Sequence, residues 1–291
     1  MTTPYRLEEL FPEQLQQRIA ETPILVLPFG TIEWHSHHLP LGLDGIVAQA
    51  LGERIASACG GVLAPVSYWG VGGVPYPFTL NLPASIIEPL LQAGFQQFAG
   101  MGFRVLVGFT GHFGLDQTVT LKRAALAAMQ SSPAFVLPLT EYDLTTDAGY
   151  LGDHAGIGET SLLWAVRPDL VRLDAVPAEQ SLDGVLGEDP RGKASPEFGE
   201  KLFSVISSRA AEVAVRFLRS TSSAERGEFI AATEAGVQVL DRIAHQRRVL
   251  PRNQVPPIVT PAYRAFCQAL YRGDYRAAQE HAARKLADLS S

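Results

Sequence analysis

The run Ile24-Leu-Val-Leu-Pro-Phe29 decides the fold class of this chain. Six apolar residues in succession are typical of a strand that is buried on both faces of a sheet. Predicted helices and strands alternate after this run through the first two-thirds of the sequence. Such alternation indicates an α/β fold, in which helices cover both faces of a mostly parallel central sheet.

Apolar periodicity and the positions of glycine and proline give the approximate bounds of each element. They predict, in order, strand 24–29, helix 45–58, strand 62–65, helix 84–101, strand 104–110, helix 117–130, strand 135–137 and helix 157–166. In sheets of this kind, ligands bind beyond the carboxyl ends of the strands. Side chains that follow the strands are therefore the first candidates for a functional site.

A different pattern begins near residue 195. Long helices are predicted at 196–219 and 225–246, followed by a Pro-rich link at 251–261. The last stretch, residues 262–289, is predicted to be a helical hairpin with its turn at Gly273-Asp274. We therefore expect two parts, an α/β domain at residues 1–219 and a C-terminal helical extension at residues 220–291.

Composition excludes several classes of protein. With 291 residues, 46% of them hydrophobic, the chain is long enough for a substantial core. A net charge of -6 and a pI near 5.7 argue against a nucleic-acid partner. The N-terminus has no apolar signal region, no apolar run is long enough to cross a membrane, and Cys59 and Cys267 lie far apart. These features predict a cytoplasmic protein without a membrane or nucleic-acid partner.

The segment from Glu33 to Asp44 holds three histidines and two carboxylates directly after the first strand. Because residues i and i+2 share a face of an extended chain, Glu33 and His35 are expected to point the same way. Asp44 can return to them through the turn at Pro40 and Gly42, and a carboxylate is well suited to bridge two ions. The segment thus predicts a site for one or two divalent metal ions, and the alternative is a solvated His-rich loop.

His112 lies between two glycines, in Gly111-His112-Phe113-Gly114, where the strand 104–110 ends. The glycines let the backbone turn sharply, so the imidazole can project over the edge of the sheet. A purely structural histidine remains the alternative.

A third candidate segment opens the helix at 157–166. His154 can act as a general acid or base near neutral pH, and Asp153 beside it can set its orientation. Glu159 can bind a metal ion or orient a ligand. Alternatively, Asp153 caps the helix and Glu159 is a first-turn acid that stabilises the helix dipole.

Taken in order, these segments resemble the creatininase (creatinine amidohydrolase) family. The family signature Gly-x-x-Glu-x-His-x-x-His-Leu-Pro-Leu-x-x-Asp is matched by residues 30–44, and its Gly-His-Gly-Gly segment by residues 111–114. Its His-Ala/Gly-Gly-x-x-Glu-Thr-Ser segment is matched by residues 154–161, and its Gly-Val-x-Gly-Asp-Pro segment by residues 184–190. The resemblance runs from about residue 24 to residue 217.

The resemblance implies a three-layer α/β/α sandwich that assembles as a hexamer and holds two Zn²⁺, Mn²⁺ or Fe²⁺ ions per subunit. By position, Glu33, His35, Asp44 and His112 match the family's metal ligands, with Asp44 as the bridge, and His154 matches its catalytic histidine.

Departures from the family pattern concern the second ion and the substrate. Creatininase has a glutamate ligand where this chain has Gly114, so another donor is required, either Glu159 or water. The loop that usually carries Ser and His is Gly70-Val-Gly-Gly-Val-Pro75, which has neither. The sequence therefore predicts a metal-dependent amidohydrolase whose small-molecule substrate is an amide other than creatinine, such as a cyclic amide or a formamide. A peptidase-like member and a non-catalytic scaffold of the same fold are the alternatives.

Overall fold

The computed structural model describes residues 4–220, 222–249 and 259–289. Its strands are β1 (Tyr5–Arg6), β2 (Ile24–Phe29), β3 (Val62–Leu63), β4 (Val105–Thr110) and β5 (Phe135–Thr140). They form one parallel sheet in the order β1-β3-β2-β4-β5, and β2, β4 and β5 are buried throughout. The α/β fold predicted from the run Ile24–Phe29 is confirmed.

The described residues form nine α-helices and three short 3-10 helices. The α-helices are α1 (Pro12–Glu21), α2 (Leu43–Cys59), α3 (Ala84–Gly100), α4 (Leu115–Ser131), α5 (Ile157–Val166), α6 (Pro196–Arg219), α7 (Ser223–Val249), α8 (Pro261–Arg272) and α9 (Tyr275–Asp288). The 3-10 helices are Leu7–Glu9, Pro168–Leu170 and Leu173–Ala175. Sequence patterns missed β1, α1 and the 3-10 helices, which are short or bury no side chain completely.

Three layers result from the packing of the helices on the sheet. Helices α2, α5 and α6 pack together on one face, and α3 and α4 pack together on the other. Helix α7 packs on α4, and α9 packs on α7, so the C-terminal part extends the second face outward. No helix among the described residues is both long and apolar enough to cross a membrane.

Stacked aromatic rings continue the core from the sheet into the C-terminal helices. Phe135 of β5 stacks on Phe217 of α6 with 4.3 Å between ring centroids. Phe217 lies 4.7 Å from Phe229 of α7, which lies 5.9 Å from Tyr275 of α9. The hydrophobic core is therefore continuous across residue 220.

The predicted helical hairpin is formed by α8 and α9, and local sequence explains its ends. The Thr260 hydroxyl accepts a hydrogen bond from the Tyr263 backbone N–H, and Gly273 adopts a left-handed φ of 91° where α8 stops. The Asp274 carboxylate then caps α9 by accepting from the Ala277 N–H. Most of the predicted Pro-rich link at 251–261 lies outside the described residues.

Candidate metal centre

Parallel pairing brings the ends of three strands to one edge of the sheet. Phe29 of β2 pairs with Thr110 of β4, and Thr110 pairs with Thr140 of β5. The segments that follow these strands therefore start side by side. They carry Glu33 and His112 from β2 and β4, as the sequence predicted.

Helix α2 delivers Asp44 to the same edge. Asp44 lies in the first turn of α2, where the helix dipole favours a carboxylate. The chain must approach closely here, because a Cβ on Gly111 would lie 2.4 Å from the Asp44 carbonyl oxygen. A Cβ on Gly30 would lie 2.3 Å from the Gly45 nitrogen. Both glycines are thus required to seat the N-terminus of α2 against the strand ends.

Five buried side chains converge at this point, and we call them the Asp44 cluster: Glu33, His35, Asp44, His112 and Glu159. On one side of Asp44, His112 Nδ1 lies 3.2 Å from Asp44 Oδ2 and 2.9 Å from Glu33 Oε2. On the other side, His35 Nε2 lies 2.9 Å from Asp44 Oδ1 and 3.6 Å from Glu159 Oε2. Each oxygen of the Asp44 carboxylate therefore belongs to a different group of donors.

Backbone carbonyls orient the histidines of the centre. A carbonyl can only accept, so each ring nitrogen that contacts one carries a hydrogen. His35 Nδ1 lies 3.0 Å from the Glu33 carbonyl oxygen, and His112 Nε2 lies 3.1 Å from that of Val71. In both rings the opposite nitrogen faces the carboxylates, as in histidines that bind a metal ion.

The donors fit divalent cations. Apart from their ion-pair contacts, four buried atoms of the Asp44 cluster have no hydrogen-bond partner: Glu33 Oε2, His35 Nε2 and both carboxylate oxygens of Asp44. Buried polar atoms without partners are costly, and a bound cation would satisfy all four. Imidazole nitrogen with carboxylate oxygen is a donor set that suits zinc, manganese and iron.

The charges in the cluster shift its pKa values strongly. Burial would raise the pKa of Asp44, but His35 and His112 hold it below its usual range. Burial opposes protonation of His112, yet its bonds to Asp44 and Glu33 raise the pKa of His112 to about 10. Without a metal ion, protons on these rings therefore supply the positive charge that the carboxylates require.

Glu159 lies inside the cluster, at the start of α5. Its Oε2 accepts a hydrogen bond of 2.6 Å from the Ala155 N–H. Burial, followed by the charges of Asp44 and Asp153, raises the pKa of Glu159 well above its usual value. A divalent ion beside Glu159 would favour its ionised form, so Glu159 occupies a suitable place for the donor that Gly114 cannot supply.

His154 lies beside the cluster, but Asp153 does not orient it as the sequence predicted. His154 Nε2 lies 2.9 Å from the Trp34 carbonyl, and Nδ1 faces Glu33 Oε1 at 3.8 Å. The Asp153 carboxylate instead accepts from the N–H groups of Gly158 and Glu159, at 2.7 and 3.1 Å. Asp153 therefore holds the first turn of α5, which was the alternative interpretation.

The other two histidines of the 33–44 segment lie outside the cluster. His37 is exposed, whereas His38 is buried with its Nε2 3.0 Å from the Thr160 hydroxyl. Thr160 follows Glu159, so His38 connects the segment after β2 to α5. The alternation rule selected His35 correctly but could not assign His38, because the segment turns and is not an extended strand.

Sequence analysis missed Glu141 and Tyr150. Glu141 follows β5 directly, is 1% exposed, and accepts a hydrogen bond of 3.1 Å from the Tyr150 hydroxyl. Burial first, with the nearby charges of Asp44 and Asp153, raises the pKa of Glu141 well above its usual value. Its signal was present, because Glu141 follows a strand end just as Glu33 and His112 do.

The glycine-rich loop at 70–79 packs directly on the centre. Its Val71 carbonyl oxygen lies 3.1 Å from His112 Nε2, and the Val74 N–H donates to Glu33 Oε1 at 2.5 Å. A Cβ on Gly73, which has a φ of 112°, would lie 2.9 Å from that same oxygen. The loop therefore contacts two of the proposed metal ligands, His112 and Glu33.

Comparison with known proteins identifies the family of this chain. The family model described as Creatininase: Creatinine amidohydrolase matches residues 8–214. Creatinine amidohydrolase of Pseudomonas putida is 30% identical over 196 residues, covering 58% of this chain and 74% of that protein. Mycofactocin precursor peptide peptidase of Mycolicibacterium smegmatis is 28% identical over 187 residues, covering 60% of this chain and 72% of that protein.

Solved structures share the fold. A crystal structure of creatinine amidohydrolase (creatininase) gives a TM-score of 0.65 at 24% identity, covering 76% of this chain and 100% of that one. A structure described as "Creatininase Mn" gives a TM-score of 0.62 at 26% identity, covering 74% of this chain and 99% of that one. A mutant creatininase of "Zn-Zn type" gives the same TM-score of 0.62 at 26% identity, also covering 74% and 99%.

Proposed function

The chain belongs to the creatininase family, whose members are metal-dependent amidohydrolases, and we propose that it hydrolyses the C–N bond of a small-molecule amide. One observation carries the proposal: the Asp44 carboxylate is shared between two groups of donors. Oδ2 lies 3.2 Å from His112 Nδ1, and Oδ1 lies 2.9 Å from His35 Nε2. A carboxylate placed in this way is suited to bridge two ions.

Two divalent ions are the proposed cofactors. Glu33, Asp44 and His112 would hold one, and His35, Asp44 and Glu159 would hold the other. Bound there, the ions would polarise the scissile carbonyl and lower the pKa of a coordinated water. The manganese and zinc forms of similar creatininases support zinc or manganese as the metal, and iron stays a prediction from the family resemblance.

His154 is the proposed proton carrier. Its Nε2–H donates to the Trp34 carbonyl, so the lone pair of the neutral ring is on Nδ1, facing Glu33. Burial, and then the charge of His35, lowers the pKa of His154, which favours the neutral ring. Nδ1 can take a proton from the attacking water, whose oxygen bonds to the carbonyl carbon. The C–N bond then breaks, and Nδ1 gives that proton to the leaving nitrogen.

Asp153 and Glu159 support this chemistry in different ways. Asp153 fixes the first turn of α5 through its bonds to Gly158 and Glu159. Glu159 is the proposed donor that compensates for Gly114. Asp153 is thus a positioning residue, and its effect on turnover is exerted through Glu159.

The substrate is proposed to be an amide other than creatinine, such as a lactam or a formamide. Gly114 departs from the creatininase pattern at a metal-ligand position, and the loop at 70–75 lacks the Ser and His that the family usually carries there. A peptide-derived amide is a second candidate, because a related protein is a mycofactocin precursor peptide peptidase. Assembly as a hexamer and a location in the cytoplasm stay predictions.

A non-catalytic scaffold would not need the Asp44 cluster. Glu33, His35, Asp44 and His112 are each at most 4% exposed, and burying such groups is costly unless an ion binds them. The energetic cost of burying these four side chains without an ion favours an enzyme over a scaffold.

The test is reconstitution of the purified protein with Zn²⁺, Mn²⁺ or Fe²⁺, followed by assays on lactam, formamide and dipeptide amides. We expect metal-dependent release of an amine or of ammonia. A protein that binds metal yet turns over none of these amides would contradict the proposal and favour the scaffold.

A further inference from the structure

Three aromatic rings contact one another in a row next to the metal centre, and we call them the aromatic wall: Trp34, Tyr76 and Phe78. The rings of Trp34 and Tyr76 are stacked, with 3.9 Å between centroids and 14° between planes. Phe78 meets Tyr76 edge-on at 5.9 Å. The wall joins the segment after β2 to the glycine-rich loop at 70–79.

The inner end of the wall belongs to the active site. Trp34 lies between Glu33 and His35 in the sequence, and its carbonyl accepts the hydrogen bond from His154 Nε2. Its backbone N–H donates to the Thr79 hydroxyl at 3.3 Å. A group that packs on the wall is therefore next to the proposed proton carrier.

Exposure rises along the wall from the site toward solvent. Trp34 is 9% exposed, Tyr76 is 38% exposed and Phe78 is 60% exposed. Contiguous exposed apolar rings are unfavourable in water and commonly mark a binding groove. The wall therefore leads outward from the buried centre and offers ring faces and edges to a ligand.

A second loop brings an exposed apolar residue next to the backbone of His154. Leu186 is 60% exposed, and its backbone forms two hydrogen bonds of 2.8 Å with that of His154. Two residues earlier, Gly184 has a φ of 82°, and a Cβ there would lie 2.3 Å from the Trp34 ring. Leu186 and the wall are thus both anchored at the Trp34–His154 contact.

The wall carries no charge of its own. Residues 70–82, Gly-Val-Gly-Gly-Val-Pro-Tyr-Pro-Phe-Thr-Leu-Asn-Leu, contain no acidic or basic side chain. A charged substituent would find no oppositely charged side chain in this loop. Flat apolar groups, by contrast, gain from burial and from ring stacking.

We propose that the aromatic wall is a specificity subsite that binds an aromatic substituent of the substrate next to the scissile amide. The inference rests on the proposed amidohydrolase function and names the class of amide it acts on. Tyr76 and Phe78 contact the substituent, and Leu186 lines the opposite side. The preferred substrates are therefore amides that carry an aromatic ring near the scissile bond, with simple alkyl amides turned over less efficiently.

Paired substrates test the preference in the metal-loaded enzyme. Phenylacetamide is compared with acetamide, and N-benzylacetamide with N-methylacetamide, as ratios of kcat/KM. We expect at least one aryl substrate to be preferred by about tenfold or more, since a well-filled apolar pocket discriminates on that scale. Tyr76→Ala and Phe78→Ala should each lower that ratio, Tyr76→Ala by about tenfold. The control is Phe11→Ala, which removes a 70% exposed phenylalanine before α1 and should leave the ratio unchanged.

A binding measurement separates failure of this inference from failure of the proposed function. Calorimetric titration with phenylacetate and with acetate reports the contribution of the ring without turnover. Phenylacetate should bind about tenfold more tightly, and Tyr76→Ala should remove the difference. If wild type turns over no amide but shows this difference in affinity, the aromatic subsite is supported and the proposed amidohydrolase function is contradicted. Equal affinities of wild type for phenylacetate and acetate would overturn the inference. Equal substrate preferences in wild type and Tyr76→Ala would also overturn it. If Tyr76→Ala in addition changes the oligomer mass, the wall binds a second copy of the chain instead.

Discussion

Each histidine of the centre is held by a backbone carbonyl, and this feature determines what each ring can do. The carbonyls of Glu33 and Val71 direct His35 and His112 toward the carboxylates. The Trp34 carbonyl directs Nδ1 of His154 to the rim of the same cluster. A fixed tautomer prepares two rings to bind metal and leaves the third to carry a proton.

Replacing His154 separates these roles. His154→Asn should retain the metal ions but lower kcat by about 10²- to 10⁴-fold, the usual cost of losing a general acid–base group. Metal analysis and steady-state kinetics on any amide that wild type turns over provide the measurement. His245→Asn, which changes an exposed histidine of α7, is the matched control. Loss of a metal ion from His154→Asn would instead identify His154 as a ligand.

The pH dependence of metal binding follows from His112. Its bonds to Asp44 and Glu33 raise the pKa of His112 to about 10, so a metal ion at Nδ1 must displace a proton at neutral pH. Apparent affinity should therefore rise with pH, by about tenfold per pH unit for each proton released, up to that pKa. Competition with a coloured chelator at several pH values measures the slope. An affinity that stays constant between about pH 7 and pH 9 would contradict the assignment.

Residue types and strand ends were enough to predict Glu33, His35, Asp44 and His112. The same rule, applied to β5, would have included Glu141. The Trp34 and Val71 carbonyls could not be predicted, because a backbone acceptor has no residue signature. The role of Asp153 was left open because a carboxylate before a helix can orient a histidine or accept helix N–H groups, and only the fold decides.

At the scale of elements, α8 covers the open edge of the sheet. β5 is an edge strand, and its Pro138 carbonyl accepts from the Tyr271 hydroxyl and from Lys122 Nζ, both at 3.2 Å. Lys122 also pairs with Asp143 at 2.7 Å, and Cys267 of α8 donates to the same carboxylate at 3.5 Å. Covering an edge in this way blocks pairing with another chain.

Breaking this buried pair should destabilise the fold more than it alters the chemistry. Lys122 is 5% exposed and Asp143 is 2% exposed, so Lys122→Met leaves a buried carboxylate without its cation. The free energy of unfolding should fall by about 3–5 kcal/mol. Denaturant unfolding measures the change. Lys193→Met, which removes an exposed pair with Glu188, should leave the midpoint unchanged, and equal effects of the two variants would contradict this account.

Agreement between predicted and observed element bounds depends on the local signal at each end. The bounds of α5 and α6 agree with the periodicity, because proline marks the end of one and the start of the other. β5 continues to Thr140, three residues beyond its predicted end, because proline is tolerated in an edge strand. A strand of two residues such as β1 depends on pairing with β3 and has no periodic signal.

At the scale of the whole molecule, we propose that residues 220–291 are an extension docked on a catalytic domain at 1–219. The family match ends at residue 214, which agrees with this division. The extension is nevertheless in close contact with the core, since Phe229 packs against both Phe135 and Phe217.

Truncation after Arg219 tests that division. The shortened chain should still bind metal, because none of the Asp44 cluster is removed. It should be less stable and should associate, because Phe135 and Phe217 lose the Phe229 ring that covers them. Light scattering and thermal unfolding measure both effects. A truncated chain with unchanged mass and stability would show that the extension is passive.

The central claim is that Asp44 bridges two metal ions, and elemental analysis of the purified, reconstituted protein tests it most directly. Wild type should hold two ions per chain, Asp44→Ala should lose both, and His112→Ala should mainly lose one, because each oxygen of Asp44 serves a separate donor group. Circular dichroism of each variant confirms that it is folded. If folded Asp44→Ala retains both ions, or if wild type binds none, the account is contradicted.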